Sequence, residues 1–154
     1  GERLEGAKAL LERVSGAKAV FTTAKTRQST FKVKKGQNIG VKTTVRGAKA
    51  REVVSKCLET LDRKLPTGSF DKFGNVAFGV KEYIDIPGMK YDPKIGMMGF
   101  DVCLTLYKPG RRVIRRRIAK GKLPARQRVS APEAREFMGK QFAAIVEEVS
   151  EDAY

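Results

Sequence analysis

Apolar residues open the chain at helical spacing. Leu4, Ala7, Leu10, Leu11 and Val14 fall on one side of a helix, and Ser15 with Gly16 ends it. That stripe reads as core. Residues 19–24 then read as a strand leading into a basic loop. From Phe31 the period drops to two. Phe31 and Val33 share one face of an extended chain, with Lys32 and Lys34 on the other. Ile39, Val41, Thr43 and Val45 share a face opposite Lys42, Thr44 and Arg46. Between these runs, Lys34-Lys35-Gly36-Gln37-Asn38 is turn chemistry. The spacing predicts two strands with an apolar and a cationic face, led in by a hydroxyl-rich loop over residues 26–30. A helix is predicted over residues 48–65. Ala50, Val53, Val54, Cys57, Leu58, Leu61 and Leu65 trace its apolar face, and Pro66 with Gly68 stops it.

Residues 69–75 are rich in turn formers. Asp71 invites comparison with a calcium loop, yet no second acid stands beside it, and a turn is the plainer reading. Val76, Phe78 and Val80 alternate as a strand. Residues 83–98 carry Pro87-Gly88, Asp92-Pro93 and Gly96 and show no period. A loop that long inside a domain is expected to be functional or ordered by a partner. Its Lys90, Tyr91, Lys94, Met97 and Met98 suit RNA or protein alike. Phe100, Val102, Leu104 and Leu106 form one face of the next strand, with Asp101, Cys103, Thr105 and Tyr107 on the other. Ser130-Ala131-Pro132-Glu133 reads as a capping box that opens a last helix. Ala134, Phe137, Met138, Phe142 and Ile145 make its apolar face, and the acidic tail from Glu147 to Tyr154 is expected to fray.

Charge changes this picture from a generic small domain to one with a partner. The 154 residues fit one domain, and a hydrophobic content of 41% supports a core. Lys plus Arg number 32 against 17 Asp plus Glu, a formal charge of +15. The excess is concentrated in two runs without a carboxylate. Residues 23–47 hold Lys25, Arg27, Lys32, Lys34, Lys35, Lys42 and Arg46. The segment from Lys108 to Arg128 holds Lys108, Arg111, Arg112, Arg115, Arg116, Arg117, Lys120, Lys122, Arg126 and Arg128. Its Val113, Ile114, Ile118 and Leu123 are too few for a self-sufficient helix. Like charges at this density repel, so the segment is expected to be extended and to order only against its ligand. A solvated face accounts for a single such run. Two runs in one small domain favour a polyanion, with nucleic acid ahead of an anionic membrane. Arginine predominates in the second run and is the better fork for phosphate and the better stacker on bases.

Several chemistries lose ground. No apolar run approaches the roughly 18 residues of a spanning helix. Pro109, Gly110, Gly121 and Pro124 interrupt the densest basic run, which weakens a membrane-lying helix. The chain has no His, which removes the commonest general base, and two Cys alone make no zinc site. Cys57 and Cys103 both sit in apolar patterns and read as buried, reduced thiols suited to the cytosol. The alternative of a metal-dependent RNA-processing enzyme would need paired carboxylates, and Asp62, Asp71, Asp85, Asp92 and Asp101 are scattered.

Three stretches are specific enough to carry a family resemblance: TAKTRQSTFKVKKGQNIGVKTTVRG, SFDKFGNVAFGVKE and YDPKIGMMGFDVCLTLYKPG. In this order, over nearly the whole chain, they resemble the large-subunit ribosomal protein five family. RRVIRRRIAKGKLPARQRVS with the capped helix after it looks like the archaeal branch. The resemblance implies an α+β fold, an antiparallel sheet with helices packed on one side, here with a basic extended segment added. It implies a structural component of the large ribosomal subunit, cytoplasmic and ribosome-bound, with no catalysis, cofactor or metal. The implied partners are 5S rRNA, nearby large-subunit rRNA and neighbouring proteins of the central protuberance, and the P-site tRNA. Carried over by position, Phe31 and Thr44 match sheet positions used against 5S rRNA. Lys32, Lys34, Lys42 and Arg46 join them, and the arginines and lysines from Arg111 to Arg128 form a second rRNA-binding set. Lys25, Thr26, Arg27, Gln28, Ser29 and Thr30 match the loop that approaches tRNA. Phe31 is expected to stack on a base or ribose, with a place in the core as the alternative. Two departures stand out. Where many members have Gly-Gln-Lys-Pro, this chain has Gly16-Ala17-Lys18-Ala19, which puts the glutamine's RNA contact in doubt. The family also has a strand ahead of the first helix, bearing an RNA-contacting asparagine. This chain starts at Gly1 just past it, and an uncovered sheet edge is expected there.

Overall fold

The computed structural model describes residues 2–147. The predicted fraying of residues 148–154 lies outside them. The chain forms two compact units, residues 1–56 with 81–99 and residues 57–80 with 100–154. Both mix helix and strand, so the α+β class holds, but the strands come as three two-stranded ladders, one of them parallel. Among the described residues no helix is long and apolar enough to cross a membrane.

In the first unit, helix α1 (Glu2–Ser15) buries Leu10 and half-buries Leu4, Ala7, Leu11 and Val14, the stripe its spacing predicts. Gly16, at a φ of +60°, ends it. Ser15 is buried and takes the Ala17 N–H on its Oγ, which lies 3.3 Å from Thr43 Oγ1. The Ala19 N–H donates to Glu12 Oε1 at 3.1 Å. These bonds fix the end of α1 against strands β1 (Val20–Thr23) and β2 (Asn38–Lys42), which pair antiparallel.

The predicted strand at Phe31 and Val33 is absent; its place in the ladder belongs to β1. Helix α2 is Ala48–Glu59, shorter than its apolar stripe suggests. Asp62 and Arg63 adopt left-handed φ of +50° and +60°, which turns the chain before Leu65. The loop at residues 83–98 is held from within rather than by a partner. Tyr83 is fully buried, and its hydroxyl accepts the Asp92 N–H at 2.9 Å. The Lys94 N–H and the Arg13 guanidinium both donate to the Asp92 carboxylate and hold its carboxyl below the usual carboxylate range.

In the second unit, Leu65 is buried in strand β3 (Lys64–Pro66). Strands β4 (Asn75–Val80) and β5 (Phe100–Thr105) pair antiparallel from Asn75↔Thr105 to Val80↔Phe100. Val76, Phe78 and Val80 are buried, while Ala77 and Gly79 are exposed, as period two requires. Asp71 is a turn residue: its carboxylate accepts from Asn75 Nδ2 at 3.2 Å, and its N–H donates to Asn75 O. After β5 comes a single helical turn, α3 (Arg112–Arg115), then helix α4 (Ala131–Phe142), which buries Ala134 and Met138. The Ser130 N–H donates to Glu133 Oε2 at 3.1 Å, the glutamate arm of the expected capping box. Phe137 is exposed, and Ile145 belongs to strand β6 (Ile145–Glu147), parallel to β3, rather than to the helix. Of the two thiols, Cys57 is buried and burial pushes its pKa up to about 11, whereas Cys103 is exposed, so its predicted burial fails. Cys103 stands on the open face of β5, between Asp101 and Thr105.

Candidate nucleic-acid interface

The first basic region is an arm, not a sheet face. Between β1 and β2 the chain runs out and back over residues 24–37. The Ala24 N–H donates to Gln37 O and the Gly36 N–H to Ala24 O, both at 2.9 Å, which extends the hairpin by one rung. Further out, Gln28 and Val33 exchange both backbone hydrogen bonds at 3.0 Å, and the Lys32 N–H closes a tight turn on Ser29 O. Gln37 Oε1 accepts the Lys34 N–H at 3.0 Å and ties the return leg. Lys32 sits at a φ of +53°, a costly conformation for a side-chain-bearing residue, so the turn is a specified shape.

This geometry regroups the expected contact residues. Lys25, Thr26, Arg27, Gln28, Ser29 and Thr30 share the arm with Phe31, Lys32 and Lys34, and all are exposed. Phe31 stands at the tip with 74% of its surface exposed, which rules out its place in the core. Lys42, Thr44 and Arg46 remain apart from the tip, at the foot of the hairpin. They alternate with half-buried Val41, Thr43 and Val45, as the period predicts. The exception is Ile39. The register slips between Thr22↔Gly40 and Thr23↔Asn38, and Ile39 falls in the skipped position and is exposed. In the departing stretch at residues 16–19, Lys18 is the exposed side chain.

The second basic region, in the other unit, holds local structure of its own, contrary to the expectation of a segment ordered only by its ligand. The Ile114 N–H donates to Arg111 O, the Gly121 N–H to Val113 O and the Arg128 N–H to Ala125 O. Arg116 Nε donates to Ala119 O at 2.6 Å and braces the loop that follows α3. Arg112, Arg115, Arg116, Arg117, Lys120, Lys122, Arg126 and Arg128 are exposed, and Arg111 is half-buried, its guanidinium 5.6 Å from the centroid of the Tyr107 ring.

What unites the two regions is the company their cations keep. Among the described residues the ion pairs are Arg13–Asp92, Arg63–Glu59, Lys64–Glu147, Lys108–Glu133 and Lys140–Glu136. No cation of residues 25–46 or 111–128 takes part. A solvated surface of mixed sign would pair many of them. Here the charge is left for an external anion, with exposed hydroxyls and one exposed aromatic ring beside it. Among the described residues no group of three His, Cys, Asp or Glu side chains is placed to hold a metal ion. Sequence reasoning missed Phe73, Tyr107 and Gln127, which line a groove with Arg111 and Arg128. The alternation of residues 100–107, which puts Tyr107 on the outer face of its strand, was the available signal.

Comparison with known proteins places these features in context. The family model for the C-terminus of ribosomal protein five, uL5, matches residues 38–139, from β2 to within α4. The chain is similar to the large ribosomal subunit protein uL5 of Sulfurisphaera tokodaii, with 47% identity over 96% of this chain and 84% of that protein. It is similar to the protein of the same name from Methanosphaera stadtmanae, with 44% identity over 96% of this chain and 88% of that one. For Aeropyrum pernix the figures are 43%, 92% and 74%.

Proposed function

The chain belongs to the uL5 family of ribosomal proteins, structural and non-enzymatic components of the large subunit, and from that premise we propose that it docks on 5S rRNA and adjacent large-subunit rRNA in the central protuberance. The arm at residues 24–37 reaches toward the P-site tRNA, and the protein works in the cytoplasm, bound to the ribosome. One observation carries this reading: two exposed cationic regions whose lysines and arginines have no carboxylate partner among the described residues.

The mechanism is positioning. Each ammonium or guanidinium that meets a phosphate releases condensed counterions, so affinity falls with log salt by about 0.7 to 0.9 per contact. Thr26, Ser29, Thr30 and Thr44 add hydroxyls able to bond ribose 2′-OH groups or phosphates. Phe31, at the tip of a specified turn, offers a ring for stacking on a base or ribose.

The test is a titration of the intact protein with 5S rRNA at several salt concentrations, beside an unrelated double-stranded RNA of equal length. The expected result is a steep salt slope and a clear preference for 5S rRNA. A flat salt response, or equal affinity for the unrelated duplex, overturns the proposal.

A further inference from the structure

We propose that a groove in the second unit seats a single unstacked nucleotide of RNA. The inference builds on the RNA-binding reading above and assigns a kind of contact that phosphate neutralisation alone does not supply. The groove, of about 240 Å³, lies among the 71–75 turn, the end of β5 and residues 111–129. Two aromatic rings stand at its edge and stay open: Phe73 is 53% exposed and Tyr107 is 62% exposed. Large rings left this exposed in a small domain suit a ligand with a flat face.

The remaining walls match the other parts of a nucleotide. Leu106, Ile114 and Leu123 supply apolar lining beneath the rings. The Arg111 guanidinium over the Tyr107 ring and the nearby Arg128 are placed to meet a phosphate, and no carboxylate lines the groove. Gln127, with two donors and an acceptor on one amide, can bond the edge of a base. The site is also built firmly. A methyl at Gly74 would lie 2.6 Å from Val129 Cγ1, so the turn bearing Phe73 rests directly on the return strand of the basic segment. Another at Gly110 would lie 3.2 Å from Gln127 Nε2, so the amide is seated over bare backbone. An A-form duplex keeps its bases stacked and presents only backbone and groove edges. An unpaired base can stack, hydrogen-bond and carry its phosphate to the arginines together.

The intact protein is irradiated with a short unpaired oligoribonucleotide carrying 4-thiouridine, and the crosslinks are mapped by mass spectrometry. Affinity for the same oligonucleotide and for a blunt RNA duplex is then measured for the parent chain, Tyr107→Ala and Tyr107→Phe. We expect crosslinks at Phe73 or Tyr107, and about a tenfold loss of oligonucleotide affinity for Tyr107→Ala. The same variant should change duplex affinity by less than about twofold, and Tyr107→Phe should bind the oligonucleotide like the parent. Crosslinks confined to residues 24–37 or 115–122, leaving the groove to a protein neighbour, overturn the inference, as does an equal loss for both ligands. The mapping uses the unaltered chain, so it decides the matter even if a variant fails to fold. If 5S rRNA binds with its full salt slope while the groove stays unlabelled, only this inference falls. If no RNA binds at all, the reading beneath it falls as well.

Discussion

The arm at residues 24–37 and the segment from Lys108 to Arg128 both present unpaired positive charge, but they are made of different material. The arm carries four lysines and one arginine. It is held by backbone bonds to itself, Ala24 to Gln37 and Gln28 to Val33, and its large apolar residue, Phe31, points outward. The segment from 111 to 128 carries seven arginines and two lysines. It lies on a platform, with Leu123 and Ile114 beside the end of β5 and Val129 against Gly74. Lysine is a mobile point charge and arginine a rigid planar fork. An arm of lysines suits reaching a distant or variable phosphate, and a braced row of forks suits a fixed one. The comparison teaches that net charge alone does not describe an RNA-binding protein; how each charge is supported decides what it can recognise.

The sharpest way to break this comparison is to remove the forks. Replacing Arg115, Arg116 and Arg117 together by Ala should lower affinity for 5S rRNA about a hundredfold at about 0.15 M salt, and flatten the salt slope by about 2 to 3. The triple change to Lys keeps the charge. It should keep the slope yet lose several-fold in affinity, because the fork geometry is gone. The matching change in the arm, Lys32, Lys34 and Lys35 to Arg, should alter affinity little. If both regions respond identically to Arg–Lys exchange in filter-binding titrations, the distinction between arm and platform is wrong.

Stability offers a second contrast through two glycines at similar dihedrals. Gly36 in the arm has a φ of +83° with open space where a Cβ would go; Gly74 beneath the platform has +74° with Val129 in the way. Gly36→Ala bears only the left-handed strain, about 1 kcal/mol. Gly74→Ala bears that strain plus overpacking, for a total of about 2 kcal/mol or more. Denaturant midpoints measured side by side check the ranking, and equal losses would mean that the segment does not rest on the turn.

These differences were only partly legible in the sequence. Where one face of an element is buried and the other wet, the period told the truth. Residues 76–80 and 100–107 alternate as read, and α1 and the Glu133 cap stand where they were expected. Errors gathered where non-local contacts decide. Leu65 is spaced like a helical residue after Leu61, yet it is buried in a three-residue strand paired with residues 145–147. No local period reports a partner some 80 positions away. Phe31 and Val33 alternate because they flank a tight turn, and Ile39 breaks ranks at a register slip that hydrophobicity does not encode. Among the proposed contacts, the charges were plain from the absence of acids. The groove was hidden because Phe73, Tyr107 and Gln127 are distant in sequence and meet only in the fold.

Phe31 sharpens the contrast at its tip. With three quarters of its surface already in water, Phe31→Ala should change folding stability by less than about 0.5 kcal/mol. If the ring stacks on RNA, the same change should weaken binding by about tenfold, within the roughly 1–3 kcal/mol of a stacked base, and leave the salt slope intact. A loss of slope with no other effect would mean the residue merely shapes the turn for Lys32 and Lys34.

The smallest expected effect concerns the edge of the platform. Lys108 is the one cation of the basic segment with a carboxylate partner among the described residues, its Nζ 2.7 Å from Glu133 Oε1. That ammonium, and then the Ser130 N–H, hold the Glu133 carboxyl below its usual range. A carboxyl with a depressed folded pKa contributes stability that is present above the unfolded carboxylate pKa and is lost as pH falls through the folded value. Both groups are exposed, so solvent keeps the contribution small. Glu133→Gln should therefore make the acid limb of the stability–pH curve slightly shallower and leave the neutral midpoint nearly unchanged, since glutamine also serves in a capping box. It also releases the Lys108 ammonium. If that ammonium stands within reach of RNA, the salt slope for 5S rRNA steepens by up to about 1. If the slope does not move, the fixed row of forks begins at Arg111, and the Lys108–Glu133 pair serves only to anchor α4 to the strand that leads into it.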